Sequence, residues 1–532
     1  MVFVAESIME LVLGGGSKGS ASPEPTSSSP AANYDRPRSG SGSGVGLSTA
    51  EVVLEAPPPD LARSGTSAKP FIPQRELTVR DSRPKNFAKI GARTPGVEVI
   101  SSFDSLTTEW LTSVFRFRGY LPADGTIDEI TMKRIGEGQG EMSDLMSVTI
   151  VRATNAFEEP ALPKHLVAKM WPQKMGPPPI ALKLVFFAEA HFYNDFTVTA
   201  GGLPRPECFH CGAKWSWTWS NSPASFVFLL EDAVKGMHGM GGPSLQYQRA
   251  DGCAQREHLM MVMDGLAKFH ARWWGKTRDS TLPKWVHPLL SSHGLGPNVI
   301  PFLAKQGFRC LPKLTAPMTH PDGTPVASLG AEFDFILKEW LPLLKGRFRH
   351  VMRQCLRPPL TLVHGDCHLE NIFFHDRYPG GCAFIDFGNM HFGQSLADVS
   401  FFLATNLEPD VRRSLERDLL GRYHATLVSF GVENYSFDLC WHDYKMNIFM
   451  AFVQIVTQAP DFVKMRQAHA GMFAHTDQID EGSKTLLKMY AAQNRRCAEA
   501  LRDHDWISMV AEKPKQCCDW IGCTPLNACV ET

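Results

Sequence analysis

No run of the 532 residues is long and apolar enough to span a bilayer. Nor is charge of either sign in excess. Lys and Arg number 54 against 55 Asp and Glu, a formal net charge of −1. With no long basic run, nothing supports a nucleic-acid partner. The N-terminal MVFVAESIMELVLGGG carries no early Lys or Arg and includes Glu6 and Glu10, so it makes a poor secretory signal. Residues 14–50 are rich in Ser, Gly, Ala and Pro, as a plastid-type transit segment would be. The expectation is a cytoplasmic protein with organelle targeting left open. A disulfide framework is also missing. The 13 cysteines are odd in number and scattered, and they read as reduced thiols. Cys208 and Cys211 form a lone C-x-x-C with no second ligand pair, which favours a strand over a zinc site. Cys529 stands fourth from the end, but Glu531 occupies the place where a prenylation box needs an aliphatic residue.

What is present divides the chain. Residues 1–95, with SGSGSGVG and EAPPPD, offer little to bury and are predicted to be a disordered tail. Residues 96–232 read as a small strand-rich lobe built from ITMKRIGEGQG, SVTIVRA, HLVAKMW, WSWTWS and FVFLLED. One helix, residues 181–196, interrupts these strands. Residues 233–510 read as mainly helical, and 511–532 as a Cys-containing tail. In EHLMMVMDGLAKFHARWW, Leu259, Val262, Met263, Leu266, Phe269, His270 and Trp273 share one helical face. His270 there reads as a packed core histidine. Further helices are expected over 411–430 and 442–458.

The chemistry concentrates in LVHGDCHLENIFF, residues 362–374, where charged side chains sit between apolar runs. LTLV is predicted to be a strand ending at His364. NIFF and CAFI should form two more, joined by the turn residues HDRYPGG. In an antiparallel hairpin Asn371 begins one arm and Asp386 ends the other, so both stand at the open end. Asp366 arrives there from the preceding loop. Hard oxygen ligands of this kind suit magnesium, which takes one or two protein groups plus phosphate and water. A carboxylate free of the metal could accept a proton from a hydroxyl. The spacing H-G-D-x-x-x-x-N followed by I-D-F-G is more specific than any one of its residues.

Two further features point the same way. On the helix over 181–196, Leu182, Val185, Phe186, Phe192, Tyr193 and Phe196 form the apolar face, with Glu189 in its middle. A carboxylate aimed into an apolar interface needs a cation. Lys169, in the strand-like LVAKM beside Val167, is the natural partner. In IGEGQGE, Gly136, Gly138 and Gly140 alternate between two strands and could bring backbone N–H groups close to phosphates. The G-K-[ST] ending of a P-loop is absent, and no parallel βαβ unit follows.

With these residues in place, the chain resembles the small-molecule branch of the protein-kinase-like superfamily. That branch includes aminoglycoside phosphotransferases, choline kinases and the ecdysteroid-kinase-like families. His364-Gly365-Asp366 replaces the H-R-D of protein kinases. The nearest resemblance is to the ecdysteroid-kinase-like family. It rests on Gly140, Glu141, Ser143 and Met146, on Lys169 and Pro172, and on Glu189 and Tyr193. It continues through Glu231-Asp232, LAKFHA (266–271), HGDCHLENIFF, IDFG and ADVSFFL with Asp398. Gly388 and His368 depart from the common IDFQ and Trp of that family, which weakens an ecdysteroid as substrate.

The resemblance implies an α+β bilobal fold, with an antiparallel-sheet N-lobe carrying one helix and a larger helical C-lobe. It implies ATP and Mg2+ as cofactors and transfer of the γ-phosphoryl group to a small-molecule hydroxyl. Asp366 would be the base and His364 would brace its loop. Asn371 and Asp386 would hold the metal. Lys169, fixed by Glu189, would contact phosphates under Gly136, Gly138 and Gly140. Phe228, Leu229, Leu230, Glu231 and Asp232 would form a hinge reading adenine. Asp398 would be structural, and His368 and Glu370 would shape the loop or touch substrate. A choline or ethanolamine kinase, with a cage drawn from Trp273, Trp274, Trp340 or Trp441, and a nucleotide-binding scaffold remain alternatives. Protein-kinase activity does not fit, because no A-P-E follows IDFG and ADVSFFL leaves little room for an activation loop.

Overall fold

The apolar alternation of residues 126–231 folds into one sheet. The computed structural model describes residues 94–136, 143–171, 180–196, 202–214, 225–239, 241–276, 296–330, 333–471 and 481–512. Gly138, Gly140, Glu141, Pro172, WSWTWS and both tails, bar the few residues at their inner ends, lie outside these ranges, as does the side chain of Leu182.

The N-lobe begins with α1 (Thr108–Arg118). The Thr107 hydroxyl accepts the Trp110 N–H at its start, and Gly119 closes it in the left-handed region. Strands β1 (Thr126–Ile135), β2 (Asp144–Thr154), β3 (His165–Met170), β4 (Cys208–Lys214) and β5 (Ser225–Glu231) form an antiparallel sheet in the order β1-β2-β3-β5-β4. Between β3 and β4 runs α2 (Ile180–Asp195). Among the described residues the lobe thus has two α-helices, one more than expected. Trp110, Leu111, Val114 and Phe115 on α1 fill a core with Leu166, Ala168 and Met170 on one face of the sheet. Because side chains alternate along a strand, Val167 and Lys169 face the other side, toward α2. Cys208 and Cys211 are buried strand residues. Among the described residues no trio of His, Cys, Asp or Glu gathers as a metal site.

The C-lobe is mainly helical, as read. It contains α3 (Arg256–Trp273), α4 (Gly296–Thr315), α5 (Phe348–Cys355), α6 (Leu396–Asn406), α7 (Pro409–Ser429), α8 (Phe437–Val456), α9 (Ala459–His469), α10 (Glu481–Asp503) and α11 (Trp506–Ala511). All seven predicted face residues of α3 are buried. The helices α7 and α8 start earlier than expected because Pro409 at a first turn and Ser436 as a cap set their beginnings. Strands β7 (Ile372–Phe374) and β8 (Cys382–Phe384) make the predicted antiparallel hairpin. Strand β6 (Leu360–Val363) does not join them. It pairs with β9 (His391–Gln394), a strand the sequence reading did not anticipate. One apolar core runs from Phe186, Phe192 and Phe228 through Phe387 to the C-lobe helices, and the two lobes form one compact unit. Among the described residues no helix is long and apolar enough to cross a membrane.

Candidate active site

The site assembles where the β7–β8 hairpin meets the inner face of the N-lobe. Glu189 is nearly inaccessible on α2, and its Oε2 lies 2.7 Å from Lys169 Nζ. Lys169 also stands 3.5 Å from Asp386 Oδ1. Burial disfavours the charged ammonium, but Asp386 and Glu189 outweigh it and hold its pKa above the ordinary lysine value. Burial pushes Glu189 up to about 7, against the pull of Lys169. The residue after Asp386 ties this loop to the same helix, since Phe387 stacks on Phe192 with centroids 3.8 Å apart. Gly388 has no Cβ because Val185 of α2 occupies that space.

The loop that follows β6 is held from behind. Asp398, at the start of α6, is 1% exposed. Its carboxylate accepts the backbone N–H of His364 at 2.7 Å and of Gly365 at 2.8 Å. His270 Nε2 lies 3.2 Å from the same group, and His270 Nδ1 is 2.7 Å from the Tyr423 hydroxyl. Burial alone would raise the Asp398 pKa, but the His270 hydrogen bond, the nearby His364 and the Gly365 N–H hold it below the ordinary carboxylate value. His270 is therefore a core residue that supports the loop. His364 braces the loop directly. Its Nε2 donates to the Ile385 carbonyl at 2.9 Å, and its Nδ1 accepts the Asp366 N–H at 3.3 Å. Gly365 adopts φ +80°, and Asn389 carbonyl fills the place of a Cβ.

Asp366 is raised by burial first and by repulsion from Asp386 second, with Arg249 and His364 pulling it down. Asn389 Nδ2 donates to Asp366 Oδ2 at 3.2 Å. Asn371 Nδ2 donates to the Asp366 carbonyl at 3.0 Å, which fixes the amide and leaves Oδ1 as its free hard oxygen. Glu189 and Asp386 thus face one ammonium, and Asp386 also repels Asp366. The donor set of Asn371 and Asp386, with this surplus of negative charge, fits a divalent cation shared with phosphate.

Glu370 belongs to the scaffold, because Arg249 Nε donates to its Oε2 at 2.6 Å and Gln246 to its carbonyl. His368 is buried, 4.0 Å from both Asp366 and Glu370, and burial with Arg249 and His364 keeps it well below the ordinary histidine pKa. Gly136 follows β1 in the left-handed region. Leu229, Leu230, Glu231 and Asp232 are buried at the end of β5. The N–H groups of Glu231 and Asp232 already donate to the carbonyls of Glu207 and His165. Those two donors are therefore not open to adenine.

Sequence reading missed Asn389, Arg249 and Arg377. Asn389 follows I-D-F-G directly, and that adjacency was the available signal. Arg377, in the hairpin turn, donates from Nη2 to the carbonyls of Ala233 at 2.7 Å and Val234 at 3.0 Å. It also reaches the Ser244 hydroxyl and lies 3.9 Å from Glu231. The tryptophans offered for a cage pack elsewhere. Trp273 and Trp340 are core residues, Trp274 contacts Tyr435, and Trp441 contacts Tyr444.

No curated protein sequence matches the chain. A choline kinase from Cryptosporidium parvum shares 12% identity and a TM-score of 0.42 over 76% of this chain and 99% of its own. A Plasmodium vivax ethanolamine kinase shares 11% at TM-score 0.34 over 74% and 91%. An aminoglycoside phosphotransferase from Streptomyces rimosus, in complex with ADP and streptomycin, shares 12% at TM-score 0.32 over 61% and 92%. Likenesses this distant say nothing of substrate. Residues 245–431, which carry His364, Asp366, Asn371 and Asp386, match the model of the ecdysteroid kinase-like family.

Proposed function

We propose that the chain is an ATP-dependent phosphotransferase that moves the γ-phosphoryl group to a hydroxyl of a small molecule. The observation that carries this reading is Lys169 standing between Glu189 and Asp386, with Asp366 and Asn371 at the same rim. Phosphoryl transfer needs little beyond positioning and charge stabilisation. Lys169, oriented by Glu189, supplies a fixed positive charge for the phosphates. Asn371 Oδ1 and the Asp386 carboxylate would hold magnesium, whose charge offsets that of the phosphates. Asp366, oriented by Asn389, accepts or aligns the hydroxyl proton. Gly136 begins the turn that would cover the phosphates.

The test is a screen of small alcohols for acceptor-dependent ADP release, with Asp366→Ala as the comparison. The variant should lose turnover at least about 100-fold while keeping the thermal shift given by magnesium and ATP. Wild-type turnover in Asp366→Ala would remove it as the base. Absence of any magnesium–ATP shift in the native protein would leave a scaffold in place of an enzyme.

A further inference from the structure

A partly open cavity of about 100 Å3 lies behind the catalytic loop, with Gly365 in its wall. Ile300 and Leu303 of α4, Phe401 of α6, and Met450 and Val453 of α8 make that wall apolar. Its polar members are mostly occupied. Asp398 spends its oxygens on His364, Gly365 and His270. Gln454 donates to the Gly365 carbonyl at 3.1 Å. Asn447 donates to Gln394 at 2.7 Å and to the Asp443 carbonyl, while its Oδ1 has no partner among the described residues. His391 differs. Its Nδ1 must carry the hydrogen, because its partner at 2.8 Å is the Asn389 carbonyl. Nε2 is then an acceptor, on a half-buried ring that lines the cavity. Asn389 is the residue that orients Asp366, so the wall and the proposed base are joined through two hydrogen bonds.

We propose that this cavity receives an uncharged, apolar group of the acceptor alcohol, and so sets the class of acceptor that reaches Asp366. The inference rests on the phosphotransferase reading. An apolar cavity of about 150 Å3 takes a benzene ring, so this one holds roughly a branched five-carbon group or a small ring. A fused polycycle could place only one ring in it. Among the described residues a quaternary ammonium finds no cage, since Phe401 is the one Phe, Tyr or Trp ring they bring to the wall and Asp398 is fully engaged.

The experiment measures ADP release with 3-methylbutan-1-ol, cyclohexylmethanol and choline as acceptors. Wild type, Ala397→Leu, which fills the cavity, and Met450→Ala, which enlarges it, are compared; both positions line the cavity. The expected result is turnover of the two apolar alcohols and not of choline. Ala397→Leu should raise their KM at least fivefold with the magnesium–ATP thermal shift retained, and Met450→Ala should favour the bulkier alcohol. Turnover of choline instead, or a smaller KM change in Ala397→Leu, overturns the proposal. If magnesium and ATP give no shift in wild type, the phosphotransferase reading fails by itself. The cavity is then judged by the shift that cyclohexylmethanol alone produces. A shift abolished by Ala397→Leu supports it, and no shift, or one that persists, refutes it.

Discussion

Replacing Asp398 by Asn separates loop support from chemistry. The carboxylate accepts two backbone N–H groups, at 2.7 and 2.8 Å, in a site 1% exposed. Asparagine keeps one acceptor oxygen and turns an NH2 toward the second N–H. A charge-assisted hydrogen bond contributes about 1.5–3 kcal/mol, and a buried donor left unsatisfied costs about 1–3 kcal/mol. The sum is about 2.5–6 kcal/mol, against a typical domain stability of about 5–15 kcal/mol. Urea denaturation should show that loss, and kcat/KM should fall at least about 100-fold, as each 1.4 kcal/mol in the barrier is tenfold. Asp366→Asn should lower activity without the stability loss. The pH dependence follows from the sign of the shift. Because the folded pKa of Asp398 lies below its unfolded value, its contribution is complete above about pH 4. It is lost only as pH falls further, through the folded value. An Asp398→Asn protein within about 1 kcal/mol of wild type in urea would refute the clamp.

Lys169→Met should cut kcat/KM by about 100-fold or more and abolish the magnesium–ATP thermal shift. The fold should survive, because Glu189, already raised to about 7 by burial, takes up a proton once its partner is gone. Gly365→Ala combines a left-handed φ, costing about 1–2 kcal/mol, with a clash on the Asn389 carbonyl. It should lose at least about 2 kcal/mol in urea, and a neutral result would deny the close approach. Arg249→Gln removes a charge that pulls the Asp366 pKa down. The acid limb of the kcat/KM profile should therefore move to higher pH, and a limb that stays or moves down would contradict the assignment of Asp366 as the group that must be ionised.

Most of the candidate site was legible because its parts are local. The hairpin follows from two apolar triplets around HDRYPGG, and its open end brings Asn371 near Asp386 with no tertiary information. Glu189 announced its partner by sitting in an apolar face. The helix α1 was equally periodic and simply passed over. What could not be read depends on distant chain. Arg249 meets Glu370 across 121 positions, and β9 pairs with β6 across the whole intervening hairpin. Arg and Asn at such places carry no local pattern. The reading of β5 as an adenine-binding edge failed to foresee that the Glu231 and Asp232 N–H groups are consumed by neighbouring segments.

The grip of Arg377 on the carbonyls of Ala233 and Val234 makes the hairpin a ruler. One end is fastened to the chain just past β5, and the other presents Asn371 and Asp386. The strand between them, three residues at about 3.3 Å each, sets a span of roughly 10 Å. The positions of Asn371 and Asp386 are thereby referred to the chain at Ala233 and Val234.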